Sequence, residues 1–351
     1  MQKNEGPFNL WEIKVDAGTG QRLEEPRRIT QWVGFQTVHA DSLSITADGK
    51  QLVVVRANLQ GDVYVAEAEN GGKSMKSPRR LTLDETDDVI GGWTPDSRSV
   101  LFSSGRNRDN LDIFKQDITQ TDAETVVATP ESEWHPNFSP DGTFILYLVT
   151  EKTNTLPWES STDARLMRVP IGGGRPELVL RGKISNFSCA GRAKLCVVAE
   201  EMEGKQILTT FDPLKGRGEK LLTSDYPQFG RGILSPQGRL IEKMTSGPDG
   251  LYVRVRSLTT QSLEEHTFKN LTGVYQFCDW SVDGRGIYLY TGGPLQGTSL
   301  YAGLDGQTQV LWKRGSGPGF WFDHPIPSPD GRHLAFTLGI YESNAWMLEN
   351  F

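Results

Sequence analysis

The stretch Asn137–Val149 reads NFSPDGTFILYLV. A large apolar residue, Phe138, precedes Ser139; Asp141-Gly142 follows, and then a run of β-formers from Phe144 to Val149. Asp-Gly between two apolar runs signals a tight hairpin, because glycine adopts the positive φ that other residues resist. Working outward from this stretch, the same pattern recurs along the whole chain. Its copies are SITADGKQLVVV, GWTPDSRSVLFSS, NFSCAGRAKLCVVA, ILSPQGRLIEKM, DWSVDGRGIYLYT and IPSPDGRHLAFTL. The Ser/Thr anchors Thr46, Thr94, Ser139, Ser188, Ser235, Ser281 and Ser328 stand 45 to 49 residues apart. Asp-Gly persists at Asp48-Gly49, Asp283-Gly284 and Asp330-Gly331, and drifts to Asp96-Ser97, Ala190-Gly191 and Gln237-Gly238.

An interval of this length fits a four-stranded repeat. The strand before each turn (A) ends in Ile45, Trp93, Phe138, Phe187, Leu234 or Trp280, and the strand after it (B) is rich in β-formers. A third strand (C) is expected at Val63–Ala66, Ile113–Gln116, Leu166–Val169, Ile207–Phe211, Leu251–Val255 and Leu300–Gly303. The fourth (D) falls at Arg79–Thr82, Glu124–Ala128, Pro176–Leu180, Glu219–Thr223, Glu265–Phe268 and Gln309–Trp312. No segment sustains helical periodicity. The expected fold is all-β: a seven-bladed β-propeller of four-stranded antiparallel blades, its ring closed by strands from both termini.

Closure is expected from Arg27–Thr30 (RRIT), which copies Arg79–Thr82 (RRLT) and would complete the blade begun at Ser328. Two C-like strands, Asn9–Val15 (NLWEIKV) and Asn344–Glu349, compete for one place in that blade. Seven repeats occupy residues 23–351 and leave residues 1–22 as a surplus segment, expected to be a remnant of an earlier blade in a longer protein.

Lys+Arg 37 against Asp+Glu 44 gives a net charge of −7, which disfavours a general nucleic-acid or anionic-membrane binder. Met1–Leu10 has no secretory-signal pattern, and no apolar run approaches the ~18 residues that span a bilayer. Cys189 and Cys196 are within reach of each other across a hairpin; with Cys278 they are read as buried small hydrophobes. A monomeric propeller is expected.

The W/F-S-P-D-G signature with its flanking apolar strands resembles the TolB-like, WD-type β-propeller repeats of bacteria. The resemblance covers Arg27–Phe351 and is cleanest at Phe138–Gly142 and Ser328–Gly331. The ending SNAWMLENF and the early GPFNLW further resemble propeller sensor domains attached to bacterial serine/threonine kinases. That resemblance implies a location outside the cytoplasm, since a membrane segment separates kinase from propeller in such proteins. This chain carries no H-R-D or D-F-G motif, and the Gly-rich Arg314–Phe320 reads as a loop.

Catalytic and metal motifs are thin. There is no G-x-S-x-G, H-E-x-x-H, C-x-x-C or complete calcium loop, so no cofactor, metal or catalytic residue is assigned. His135 and His324 share a repeat position four residues before the anchor. They read either as groups at a channel mouth or as hydrogen-bonded residues copied with the repeat. The D-to-A and B-to-C connections share one edge and carry Trp134, His135, Trp158, Tyr226, Phe229, Arg231, Phe320, Trp321, Asp323 and His324. Aromatics with an occasional arginine are typical interface anchors, although they also serve to plug a channel. Asp84–Asp88 (DETDD) reads as a solvated loop, and Arg106–Arg108 alternates with acids rather than forming a basic patch.

The expected function is a non-catalytic binding or sensor module whose entrance edge recognises a protein, peptide or small ligand. Two other readings compete with it. One is an enzyme using His135, His324, Asp323 and Asp279, with or without a metal; the other is a scaffold that docks by its sides.

Overall fold

The computed structural model describes residues 9–31, 37–107, 110–151, 163–224, 234–269, 271, 278–291, 297–313, 319–322 and 324–349. The repeated motif is a side-chain latch. Ser139 Oγ donates to Asp141 Oδ1 at 2.6 Å and accepts the Phe144 N–H at 3.0 Å. The Gly142 N–H, at φ +72°, closes the turn onto the Ser139 carbonyl at 2.9 Å. Thr46, Thr94, Ser281 and Ser328 make the same hydroxyl-to-aspartate bond, each at 2.6 Å. Each latch satisfies turn groups that would otherwise lack partners, and so fixes the register of the two strands it joins.

The chain divides into two compact units, residues 1–60 with 340–351, and residues 61–339. In the first, β1 (Trp11–Glu12) pairs antiparallel with β2 (Arg27–Arg28), and β3 (Thr37–Ile45) pairs with the first part of β4 (Gln51–Glu69). In the second, the later part of β4 pairs with β5 (Ser74–Arg80). A four-stranded sheet follows: β6 (Asp88–Trp93), β7 (Ser99–Ser104), β8 (Asp112–Asp117) and β9 (Glu124–Val127). The next is β10 (Ser132–Phe138), β11 (Phe144–Thr150), β12 (Ala164–Pro170) and β13 (Glu177–Gly182). Then come β14 (Ile184–Ala190), β15 (Leu195–Met202), β16 (Lys205–Asp212) and β17 (Gly216–Ser224).

Three strands of the following sheet are described, β18 (Arg239–Gly247), β19 (Gly250–Ser257) and β20 (Leu263–Lys269). After them lie β21 (Cys278–Trp280), β22 (Gly286–Thr291), β23 (Thr298–Gly303) and β24 (Thr308–Lys313). The chain ends with β25 (Gly319–Phe322), β26 (Ile326–Pro327) and the long β27 (His333–Glu349). One sheet runs β25-β27-β4-β3, with β26 on β27 and β5 on β4. The pairs within the sheets β6–β9, β10–β13, β14–β17, β18–β20 and β21–β24 are all antiparallel, and no described element is a helix long and apolar enough to cross a membrane.

Within the second unit, apolar clusters bridge successive sheets. Leu148 and Trp134 pack with Phe187 and Val198; Ile241 and Val253 pack with Trp280 and Leu289. Val63 and Ala335 pack with Ile90 and Trp93, whose indole donates to the Ile326 carbonyl at 2.9 Å. Tyr288 and Leu311 pack with Leu334. Six of the seven anchors lie in this unit and Thr46 lies in the other.

Of the two strands that compete for the place beside Arg27–Thr30, Asn9–Val15 pairs with it: Arg28 lies opposite Trp11, and the Ile29 N–H donates to the Leu10 carbonyl at 2.8 Å. The two N-terminal segments form an antiparallel hairpin whose details repeat those of β4 and β5. Arg28 Nε caps the Thr30 carbonyl and Arg80 Nε the Thr82 carbonyl, both at 2.7 Å. One expectation, concerning the cysteines, is corrected. Cys189 and Cys196 lie directly opposite on β14 and β15 and form a disulfide; Cys278 alone is a buried free thiol.

Candidate functional site

Within each sheet, antiparallel pairing puts the D-to-A and B-to-C connections at one end and the A-to-B and C-to-D turns at the other. At the first end the starts of β6, β8, β10 and the later part of β4 bring together Asp62, Asp84, Asp87, Asp88, Asp112, Glu131 and Glu133. Arg80 pairs with Asp62 at 2.7 Å and donates to the Asp84 carbonyl at 2.8 Å. The Gly61 N–H donates to Asp87 at 2.8 Å. Arg106 pairs with Asp84 at 2.6 Å and Asp88 at 3.2 Å, its guanidinium lying 5.0 and 4.6 Å from the rings of Phe102 and Phe114. Asn107 and Asn110 donate to Asp112 at 3.0 and 3.1 Å, and Asn110 also caps the carbonyls of Thr129 and Glu131. The Thr129 hydroxyl donates to Glu133, and Arg165 pairs with Glu131.

Carboxyl groups outnumber guanidinium groups here, and several are deeply buried. Asp88, Asp112 and Glu133 are fully shielded from solvent. Burial pushes Asp88 up to about 7 against the pull of the Ser104 hydroxyl and Arg106, with Asp84 adding to the rise. Burial likewise pushes Glu133 up to about 7, outweighing its Thr129 bonds and reinforced by Asp112. Asp87 rises to about 6, mainly through burial and further through Asp62. Asp84 moves the other way: burial opposes its ionisation, but the Thr86 hydroxyl and Arg106 together hold it below its ordinary value. The edge is therefore a network of mixed protonation near neutrality.

Of the rim residues expected from sequence, Trp134 is buried in the apolar cluster with Leu146, Leu148 and Phe187. His135 is also buried, at φ +56°; its Nε2 lies 3.0 Å from the Phe187 carbonyl and its ring meets the Phe187 ring edge-on at 4.9 Å. It thus faces the interface between the β10–β13 and β14–β17 sheets. His324 is fully buried. Trp158, Tyr226, Phe229, Arg231 and Asp323 lie outside the described residues, and the side chains of Phe320 and Trp321 on β25 do as well. Among the described residues no group of three His, Cys, Asp or Glu is arranged to hold a metal ion.

Asp84–Asp88 is not the solvated loop expected, because its last residue is buried as the first of β6. The buried acids had a sequence signal. Asp88 and Glu133 stand six residues ahead of the anchors Thr94 and Ser139, and Asp62 and Asp112 each precede the aliphatic-aromatic pair that opens strand C.

No protein-family signature matches the chain, and neither does any curated protein. Solved structures do. A putative TolB from Agrobacterium tumefaciens superposes with TM-score 0.57 at 15% identity, covering 81% of this chain and 99% of that one. TolB from Acinetobacter baumannii gives 0.54 at 15% identity, covering 74% and 64% respectively. The fold is that of a TolB-like β-propeller. A puromycin hydrolase structure also aligns, with TM-score 0.49 at 13% identity, covering 83% of this chain and 57% of that one. Likeness at these identities establishes the TolB-like fold and leaves the function to be argued from the site.

Proposed function

We propose that this chain is a non-catalytic binding module that recognises a protein or peptide through the edge built by its D-to-A and B-to-C connections, seating a basic side chain of the partner there. The observation that carries this reading is the excess of buried carboxyl groups over guanidinium groups at that edge. Asp88 and Glu133 keep their protons to about pH 7 because burial disfavours their charged forms. A partner's lysine or arginine would supply the missing countercharge and stabilise the ionised forms. The aromatic residues Trp158, Tyr226, Phe229, Phe320 and Trp321, with Arg231, would border that contact. His135, with Nε2 against the Phe187 carbonyl, is placed for packing rather than proton transfer, which supports binding over the enzyme reading. The scaffold we infer is a closed ring of blades, seven by the anchor count. The Cys189–Cys196 disulfide supports a location in an oxidising, extracytoplasmic compartment.

The test is fluorescence anisotropy with labelled peptides of equal length, one bearing lysine and arginine and one bearing glutamate, at physiological salt. The basic peptide is expected to bind, more tightly at pH 8 than at pH 5.5, because its charge competes with protons on Asp88 and Glu133. The double variant Asp84→Asn/Glu131→Gln should weaken binding at least tenfold. Equal binding of both peptides, or indifference to pH and to the double variant, would defeat the proposal.

A further inference from the structure

At the opposite end of the sheets, three sheets line a half-open cavity of about 400 Å3. Arg239 enters it from the start of β18 and Glu264 and His266 from β20. Asp283 and Arg285 come from the turn before β22, Tyr301 from β23, Leu304 and Asp305 from the turn before β24, and Lys73 from the turn joining β4 to β5. Its size falls within the range of small-molecule sites. Lys73, Arg239 and Arg285 balance Glu264, Asp283 and Asp305, so the lining is formally neutral while carrying both signs.

The charges differ in how far they are already used. Arg239 pairs with Glu264, donates to the Gly284 carbonyl at 3.2 Å and lies over the Trp280 ring at 5.7 Å. His266 is held by its Nδ1 at the Leu304 carbonyl, 3.0 Å away, with Nε2 3.3 Å from Glu264. Arg239 and Glu264 are committed to each other, while the buried His266 Nε2 makes no hydrogen bond. By contrast, among the described residues the Lys73 ammonium makes no hydrogen bond or ion pair; it lies 5.6 Å from the Tyr301 ring centroid. The Arg285 guanidinium likewise makes none, its backbone N–H alone donating to Asp283 at 3.0 Å. The Asp283 and Asp305 carboxylates each use Oδ1 in their own turns, accepting from Ser281 Oγ at 2.6 Å and from the Gln307 N–H at 3.0 Å. Their second oxygens accept no hydrogen bond among the described residues, and Asp283 also feels the charges of Arg285 and Lys73.

The floor is preorganised. A Cβ at Gly286 would stand 2.4 Å from the Tyr301 hydroxyl, so only glycine lets that ring pass under the cavity. Tyr301 is itself buried and packs edge-on against Tyr288 at 5.7 Å.

We propose that this cavity binds a small zwitterion of the α-amino-acid class. The ligand carboxylate is taken by Lys73 and Arg285, its ammonium by the second carboxylate oxygens of Asp305 and Asp283, and its side chain lies over Tyr301 and Leu304. A neutral lining with uncommitted groups of both signs matches a ligand carrying both charges, whereas a simple anion or cation would leave half of it unanswered. The site lies at the other end of the sheets from the acidic edge and does not depend on the function proposed for that edge.

Isothermal titration calorimetry with the twenty free L-amino acids, their N-acetyl and C-amide derivatives, acetate and phosphate tests this directly. At least one free amino acid is expected to bind one to one, with each capped derivative weaker by tenfold or more. Lys73→Met, Arg285→Gln and Asp305→Asn should each weaken binding about tenfold with the unfolding midpoint unchanged. The proposal is overturned if no free amino acid binds, if acetate, phosphate or a capped derivative binds as tightly, or if the three variants bind as the parent does.

Discussion

Asp88 and Glu133 occupy one repeat position in two successive sheets, and both are fully buried beside a second carboxyl group. For Glu133 the consequence can be worked through. Burial raises its folded-state value from 4.5 to about 7, so the native protein keeps a proton that the unfolded chain releases. Its contribution to stability is therefore complete below about pH 4.5, declines as pH rises towards 7, and is gone above that. At about 1.4 kcal/mol per tenfold change in proton affinity, the loss is on the order of 3 kcal/mol. Glu133→Gln should flatten the fall in urea-unfolding free energy between pH 4.5 and pH 8 by a comparable amount. An unchanged slope would mean that Glu133 is ionised in the folded protein. The position of this acid could be read from its spacing to the anchor, but its burial could not. Whether a carboxyl group at a strand start is solvated depends on the neighbouring sheet, here through Asn110, Thr129 and Asp112.

Among the elements, the A–B hairpins were the most readable, because everything that makes them lies within a few residues. A hydroxyl, a carboxylate and a positive φ suffice at Ser139, Asp141 and Gly142. The β14–β15 hairpin departs from that design. Ala190 stands where five other copies have aspartate and one has Gln237, and the Cys189–Cys196 disulfide crosses the same hairpin. A cross-link between residues seven apart is worth about 2 kcal/mol by loop-closure entropy. The double variant Cys189→Ala/Cys196→Ala should lose about that much in urea unfolding, and dithiothreitol should have little effect on the variant. A variant as stable as the oxidised parent would show that the disulfide does not replace the missing latch. The N-terminal strands were less readable. RRIT copies RRLT, and Asn9–Val15 is one of two strands that could lie beside it; the pairing takes that one, a choice that local pattern does not record.

For the whole molecule, the antiparallel repeat sorts chemistry to two ends of the sheets. One end gathers acids around Arg80, Arg106 and Arg165; the other holds the charge-balanced cavity around Lys73, Arg285 and Tyr301. At the first end the sequence showed the run Asp84–Asp88 but not its burial, and of the aromatic rim expected there the described Trp134 and His135 pack in the core. The cavity was not legible, because its lining comes from three sheets whose turns look like ordinary polar punctuation.

The measurement that bears most directly on the binding edge is hydrogen–deuterium exchange by mass spectrometry, with and without the basic peptide. Slowed exchange is expected in residues 84–88, 104–107, 110–112 and 129–135. Slowing confined to the turns at 281–286 and 303–307, or no slowing despite saturating peptide, would contradict the assignment of that edge as the binding site.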